Sequence, residues 1–347
     1  MTVEWQDLES AGVDAGLCAV GVTDAAAFPR ALDDLVERKS LGLHGGIEFT
    51  YRNPRRSTNP SVTMPEARSL IVGALEFAHS APQRPDIGPV GRVASYSWTD
   101  HYADLRDALE VVAKQLRDSG HRAQVFADQN NLVDRAVAYR AGLGWWGKSS
   151  NILIPGMGSM VVLGAVMTDA EIRGNEAEPI ADQCGTCTKC ISGCPTNAII
   201  APGVVDARRC LSWLLQLGGD FPMEFRAALG DRIYGCDDCQ DVCPPNQLRL
   251  RRPTAPGSGQ AWVSIIEMLR LDDESLMNEY GRWYIPRRDP NVLRRNALVV
   301  LGNIGDGTDP STRDVVRSSL QHTDNVVRSH AEWAALKLGI PTEPTAA

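Results

Sequence analysis

The sequence predicts an α+β protein in three parts: a mixed N-terminal domain over residues 1–174, a cysteine-rich domain over 175–252 and an α-helical repeat domain over 253–347. Three observations predict it. Runs of strand length alternate with helical periodicity up to about residue 170. Eight of the nine cysteines fall between Cys184 and Cys243, and a motif near Asn291 recurs near Asn325. At 347 residues the chain is long enough for two or three cores. Its 43% hydrophobic and 22% charged content is that of a soluble globular protein.

In chain order, 3–11 reads as a helix and 17–22 as a strand, with Cys18 as a core residue inside it. Pro29 suits the first turn of a helix over 31–39. Residues 44–65 are polar, rich in Gly and Pro, and carry Tyr51, Arg52, Arg55 and Arg56. Residues 69–75 read as a buried strand, and Pro82, Pro85 and Pro89 mark a loop. Leu105, Leu109, Val112 and Leu116 recur at steps of four, three and four, the stripe of an amphipathic helix over 102–119. A strand at 123–126, a helix at 132–141 and strands at 151–154 and 160–167 follow. This alternation leaves α/β and α+β pairings open.

The cysteines carry the strongest chemical signal. Cys184, Cys187, Cys190 and Cys194-Pro195 have the C-x2-C-x2-C-x3-C-P spacing with which bacterial ferredoxins hold a 4Fe–4S cluster. Cys236, Cys239 and Cys243-Pro244 read as the end of a second copy, with Cys210 in place of its missing first thiolate. In two-cluster ferredoxins the proline-flanked cysteine ligates the other cluster. The expected sets are therefore Cys184, Cys187, Cys190 with Cys243, and Cys210, Cys236, Cys239 with Cys194. Paired C-x2-C elements also suit zinc, but a zinc knuckle has no use for the third cysteine or the C-x3-C-P endings. Disulfides fit neither this spacing nor a start without an apolar h-region, which predicts a cytoplasmic protein. No apolar run approaches the ~20 residues of a membrane span.

Gly142-Leu-Gly144-Trp145-Trp146-Gly147 matches G-x-G-x-x-G, yet a helix precedes it and Lys148-Ser149-Ser150 leads toward a strand. That order is wrong for a dinucleotide fold. A glycine turn approached by a large planar cofactor, with Trp145 and Trp146 as walls, is the better reading. In the C-terminal part, Asn291 to Ala297 recurs as Asn325 to Ala331, and Gly305 and Gly339 keep the same offset of 34. The period is short for HEAT, so the repeats are HEAT-like. Arg282, Arg287, Arg288, Arg294 and Arg295 lie here with Trp283 and Tyr284. They read as a solvated face or as phosphate contacts. The net charge of −8 argues against a basic sheath but leaves such a local face open.

Several stretches together resemble the epoxyqueuosine reductase family. They are Cys184 to Ala198, Gly230 to Asn246, Asp134 through Gly142-Leu-Gly-Trp-Trp-Gly-Lys148, and the C-terminal repeats. The likeness spans nearly the whole chain. It implies an N-terminal α/β domain that binds cobalamin without an imidazole lower ligand, in keeping with the lack of a D-x-H-x-x-G stretch. Gly142, Gly144, Trp145, Trp146, Gly147, Lys148 and Ser149 would meet that cofactor. It further implies a ferredoxin-like domain with two 4Fe–4S clusters, an external electron donor such as ferredoxin or flavodoxin, and reduction of epoxyqueuosine to queuosine at the tRNA wobble position. The likeness assigns Asp128 as the proton donor, where a helix cap is the plainer alternative. Arg287, Arg288, Arg294 and Arg295 would grip the anticodon stem-loop.

Two departures stand out. The family's Asp-Ser/Thr-x-Pro turn is Asp128-Gln-Asn-Asn131 here, and its Asp-Tyr-His is Asp100-His101-Tyr102. Both fall near the expected substrate pocket, while the electron-transfer motifs are intact. That leaves room for a divergent branch, such as a related corrinoid reductase of a small molecule. A two-cluster electron carrier without chemistry of its own is the other alternative.

Overall fold

A computed structural model describes residues 3–172, 178–252 and 259–342. Helix α1 (Trp5–Asp14) leads into strand β1 (Ala19–Asp24) and helix α2 (Pro29–Ser40), which has its proline in the first turn as expected. Single-turn helices at Phe49–Arg52, Pro54–Ser57 and Pro60–Thr63 precede β2 (Ser69–Glu76) and β3 (Val90–Val93). Then come α3 (His101–Asp118), β4 (Ala123–Ala127), α4 (Asp134–Arg140), the hairpin of β5 (Trp145–Trp146) and β6 (Ile152–Leu153), and β7 (Val161–Thr168).

Four strands form one sheet in the order β1-β2-β7-β4, and every pairing in it is antiparallel. The part expected as α/β is thus α+β. Alternation of strands and helices along a sequence carries no information on strand direction, which is why the sequence left the choice open. Both faces of the sheet are covered. Ile71 and Val166 point to the side packed by α1 and α3, while Leu70, Val72, Ala165 and Met167 point to the side packed by α4. Covered on both faces, β2 and β7 read as continuous apolar runs. Leu105, Leu109, Val112 and Leu116 are all fully buried, each contributing roughly 1.5–3 kcal/mol by burial. Cys18 sits at the edge of the second core, its thiol donating to the Ala74 carbonyl at 3.2 Å. Burial pushes that thiol up to about 11, as befits an inert packing residue.

The cysteine-rich part holds the hairpin of β8 (Ile199–Ala201) and β9 (Val204–Val205), helix α5 (Met223–Leu229), β10 (Arg232–Tyr234) and α6 (Pro244–Leu250). Strand β11 (Trp262–Ser264) and helices α7 (Ile265–Arg270), α8 (Asp273–Tyr280), α9 (Asn291–Ile304), α10 (Pro310–Leu320) and α11 (Asn325–Leu338) complete the described chain. A second sheet, in the order β10-β3-β11, takes one strand from each of the three expected parts. Its Val93, Ile233 and Val263 share a core with Trp283, Val299 and Val300 of the helical end. The expected boundary at 174/175 lies outside the described residues, and that at 252/253 lies at their edge. Asn291 and Asn325 each open a 14-residue helix, so the sequence repeat marks equivalent elements. Gly305 and Gly339 both follow those helices, but only Gly339 is left-handed, with φ at +65°. Among the described residues no helix is long and apolar enough to cross a membrane.

Candidate active site and thiol sets

Asp128 ends β4 and has a φ of +54°, an uncommon conformation for a residue with a side chain. It does not cap α4, whose N-cap is Val133 without a side-chain bond. Its residue surface reaches solvent, yet surrounding protein desolvates the carboxyl enough to raise its pKa. Arg106 opposes that rise and Asp100 adds to it. The phenols of Tyr102 and Tyr234 feel the Asp128 charge, although burial is the larger cause of their raised pKa values. Asp134 also faces Asp128, and burial pushes it up to about 8.

The altered turn after Asp128 is tied down by side chains. Arg56 donates through Nη2 to Asn130 Oδ1, and Ser57 Oγ donates to the Asn130 carbonyl at 2.6 Å. Asn131 Nδ2 donates to Thr63 Oγ1 at 3.3 Å. The second departure also resolves into separate roles. Asp100 caps α3 by accepting from the Ala103 N–H at 2.9 Å, and His101 is buried with its ring 5.8 Å from that of Phe77. Tyr102 is the member of the three that stands by Asp128.

From Asp128 a line of aromatic residues leads to the second cysteine loop. Tyr234 lies two residues before Cys236, with its ring 6.3 Å from Tyr96 and stacked on Trp283 at 4.5 Å. Tyr234 Oη accepts from the Tyr284 N–H at 2.8 Å. Asp237 takes the Ser95 N–H at 2.6 Å and the Ser95 Oγ–H at 2.8 Å, and Arg232 pairs with Asp238 at 2.6 Å. Fully buried Asn246 accepts from the Ser159 N–H at 2.7 Å and donates to the Gln240 carbonyl at 2.9 Å.

The thiols interact in two groups. Cys243, pushed up to about 11 by burial, feels Cys184, Cys190 and Cys187, and Cys190 feels Cys184 and Cys187. Cys239, raised well above its ordinary value by burial, feels Cys236, Cys210 and Cys194. Cys210 feels Cys194, and Cys236 feels Cys210. The distant Cys210 is brought in by a bond pair between Thr196 and Arg209, at 2.6 and 3.0 Å. Cys210 and Cys243 each sit at the N-cap of a following helix, where backbone N–H groups lower the thiol pKa against burial. Grouped thiols, with Cys210, Cys236 and Cys239 raised by burial and by neighbouring thiols, suit a centre of positive charge. No three His, Cys, Asp or Glu among the described residues are placed to hold a single ion.

A family profile described as "4Fe-4S double cluster binding domain" matches residues 183–246. The chain is 33% identical over 345 residues to the epoxyqueuosine reductase of Bacillus subtilis (strain 168), covering 96% of this chain and 86% of that protein. It belongs to the epoxyqueuosine reductase family. A solved epoxyqueuosine reductase with an epoxyqueuosine-modified tRNA-Tyr stem loop superposes with a TM-score of 0.88 at 30% identity, over 96% of this chain and 90% of that one. A Bacillus subtilis epoxyqueuosine reductase structure, TM-score 0.85 at 30% identity over the same shares, has its catalytic aspartate loop swung out of the active site. The family is one of oxidoreductases, and the matched profile gives this member an iron–sulfur domain.

Some expected site residues have other roles in this family member. A Cβ at Gly144 would stand 2.2 Å from the Leu153 carbonyl oxygen, and one at Gly147 would stand 2.2 Å from Leu153 Cδ1. These glycines admit β6 of their own hairpin. Gly142, with φ at +72°, ends α4. Trp145 is buried, so only Trp146 presents a ring to solvent. Lys148 donates from Nζ to the carbonyls of Gly185 at 2.6 Å and Cys187 at 2.9 Å, which makes it a strut for the first cysteine loop. Ser149 is half-buried.

The arginines also divide. Arg295 is fully buried and donates to the carbonyls of Leu214, Leu215, Leu217 and Gly219. Arg294 is buried and pairs with Asp273 at 2.6 Å. Neither can reach a phosphate. The letters of a short polar and apolar run do not say which arginine faces inward. Arg287 and Arg288 are exposed. Sequence reasoning missed Tyr96, Tyr234, Asp134 and Arg56. Asp134, Arg56 and Tyr234 lay inside stretches it had singled out but were given no role there; Tyr96 did not.

Proposed function

We propose that this chain reduces epoxyqueuosine to queuosine in tRNA, with electrons passing through two 4Fe–4S clusters to cobalamin. The observation that carries the reading is Asp128: a carboxyl with a raised pKa, on a tethered turn, whose charge is felt by Tyr102 and by Tyr234, two residues before Cys236. Cys184, Cys187, Cys190 and Cys243 hold one cluster in this proposal, and Cys194, Cys210, Cys236 and Cys239 the other. The N-terminal part, 1–174, hosts cobalamin and substrate, 175–252 is ferredoxin-like, and 253–347 forms HEAT-like repeats.

The buried Trp145 indole N–H without a partner, beside the open Trp146 ring, suits the rim of a large amphiphilic cofactor. Cobalamin, when bound, supplies a reducing cobalt centre for the epoxide. Asp128 gives the proton that lets the epoxide oxygen leave, so that two electrons and two protons yield an alkene and water. Arg56 and Ser57 keep the Asp128 turn in place. Exposed Arg287 and Arg288, with Tyr284 at 59% exposure, are the candidates for the anticodon stem-loop. Changing both arginines to alanine is expected to weaken tRNA binding and to lower its salt slope by about 1 for each arginine that meets a phosphate.

The deciding experiment is anaerobic reconstitution with iron, sulfide and cobalamin, then turnover on tRNA carrying epoxyqueuosine. About eight irons and one corrin per chain, with conversion to queuosine, is the expected result. The same loading without conversion would assign the redox apparatus to another substrate.

A further inference from the structure

An open groove of about 660 Å³ runs between the two cysteine loops, on a side that the proposed chemistry does not use. Lys189, Gly193, Val242, Pro244, Leu248 and Arg251 line it. Lys189 immediately precedes Cys190, while Val242 and Pro244 flank Cys243. A molecule seated there is thus within a residue of two thiols of the first set. The floor is closed where Gly193 meets Val242, since a Cβ on that glycine would stand 2.8 Å from Val242 Cγ2.

The character of the groove is cationic with an apolar centre. Lys189 and Arg251 are exposed, and Leu248 is 63% exposed. The aspartate in the lining, Asp241, has Arg92 at 3.5 Å. This local positive charge lies on a chain whose net charge is −8. Net repulsion disfavours most approaches of an acidic protein to such a chain, and two cations at the rim, next to the first thiol set, favour this one.

We infer that this groove is the docking site of a small acidic one-electron carrier protein. Carboxylates around the carrier's redox centre pair with Lys189 and Arg251, and an apolar contact covers Leu248. At each docking the reduced carrier loses one electron and this chain gains one. Two dockings supply the pair that reduction of one epoxide consumes. The inference rests on the proposed function for its electron demand.

The test uses the reconstituted holoenzyme with reduced flavodoxin as the acidic carrier, and dithionite as a small reductant that needs no dock. Lys189→Glu with Arg251→Glu is expected to raise the KM for flavodoxin by roughly tenfold or more and to flatten its dependence on ionic strength. Affinity for oxidised flavodoxin, measured by calorimetry, is expected to fall in parallel. Leu248→Asn is expected to weaken docking without changing the salt dependence. Dithionite-driven turnover stays at the parent rate in all variants. Unchanged KM and unchanged affinity in both variants would overturn the dock. Absence of dithionite-driven turnover in the parent would instead reject the proposed function, and calorimetry would still decide the dock.

Discussion

The two cysteine loops share their spacing and differ in their surroundings. In the first, Gly185, Thr186, Thr188 and Lys189 are exposed, and the loop is held from outside by the Lys148 ammonium. In the second, Asp237, Asp238 and Gln240 are buried, each with a partner, and Cys236 packs against the main core. Both loops border the open groove, the second through Asp241, Val242 and Pro244, but the second alone also adjoins Tyr234, which feels the Asp128 charge. One spacing therefore sits in two settings: a first loop whose intervening residues face solvent and a second loop whose intervening residues are buried against the core. Buried polar side chains bonded to specific partners hold the second loop in a single arrangement. That suits delivery of electrons to a fixed site.

The largest expected effect tests the division itself. Cys210→Ala should abolish turnover and lose about half of the iron, leaving the exposed set loaded. Retention of all iron in that variant would break the pairing of Cys210 with the sheltered loop. Asp128→Asn comes next, with turnover reduced about 10²–10⁴-fold at unchanged iron content. A proton donor works in its acid form, so turnover should fall as Asp128 ionises, and burial moves that fall to higher pH than for an ordinary carboxyl. Parent-like rates in the asparagine variant would remove the carboxyl from the chemistry. Arg56→Ala should lower turnover less, and should speed backbone hydrogen exchange over 128–131. Exchange that does not change would free the turn from that tether.

Stability should separate the loops in the same sense. Asn246→Ala leaves the buried Ser159 N–H without its partner and removes one of the donors to the Gln240 carbonyl, at a cost of about 2 kcal/mol in denaturant titration. Lys148→Met removes two bonds at the edge of the exposed loop and should cost about 1 kcal/mol. Equal costs would mean that the loops are equally embedded.

What the sequence made legible follows from the range of each signal. The iron–sulfur domain was readable because cluster ligands come at fixed local spacings, and the matched profile spans 183–246. The Leu105 to Leu116 stripe was readable because helical burial repeats at 3.6 residues. Strand direction was not, since it depends on pairing across more than 40 residues, as between β2 and β7. Arg294 and Arg295 misled for a related reason. A guanidinium that collects four carbonyls from 214–219 has the same letter as one in water. Gly144 and Gly147 did mark a close approach, and Leu153 of the next strand makes one, which a motif cannot name.

A last expected effect concerns protons on the sheltered side. Burial raises Asp134 from an ordinary 3.8 to about 8, with Asp128 adding to the rise and Arg135 opposing it. Between about pH 4 and pH 8 the folded chain keeps a proton that the unfolded chain has released. Stability from this group is therefore complete below about pH 4 and is lost as pH climbs to about 8. Asparagine has the shape and lacks the charge, so Asp134→Asn should hold its Tm better than the parent over that interval. The gap should widen with pH and level off above about 8. Parallel Tm curves would show that Asp134 ionises freely, and that the pocket around Asp128 is no drier than the exposed loop.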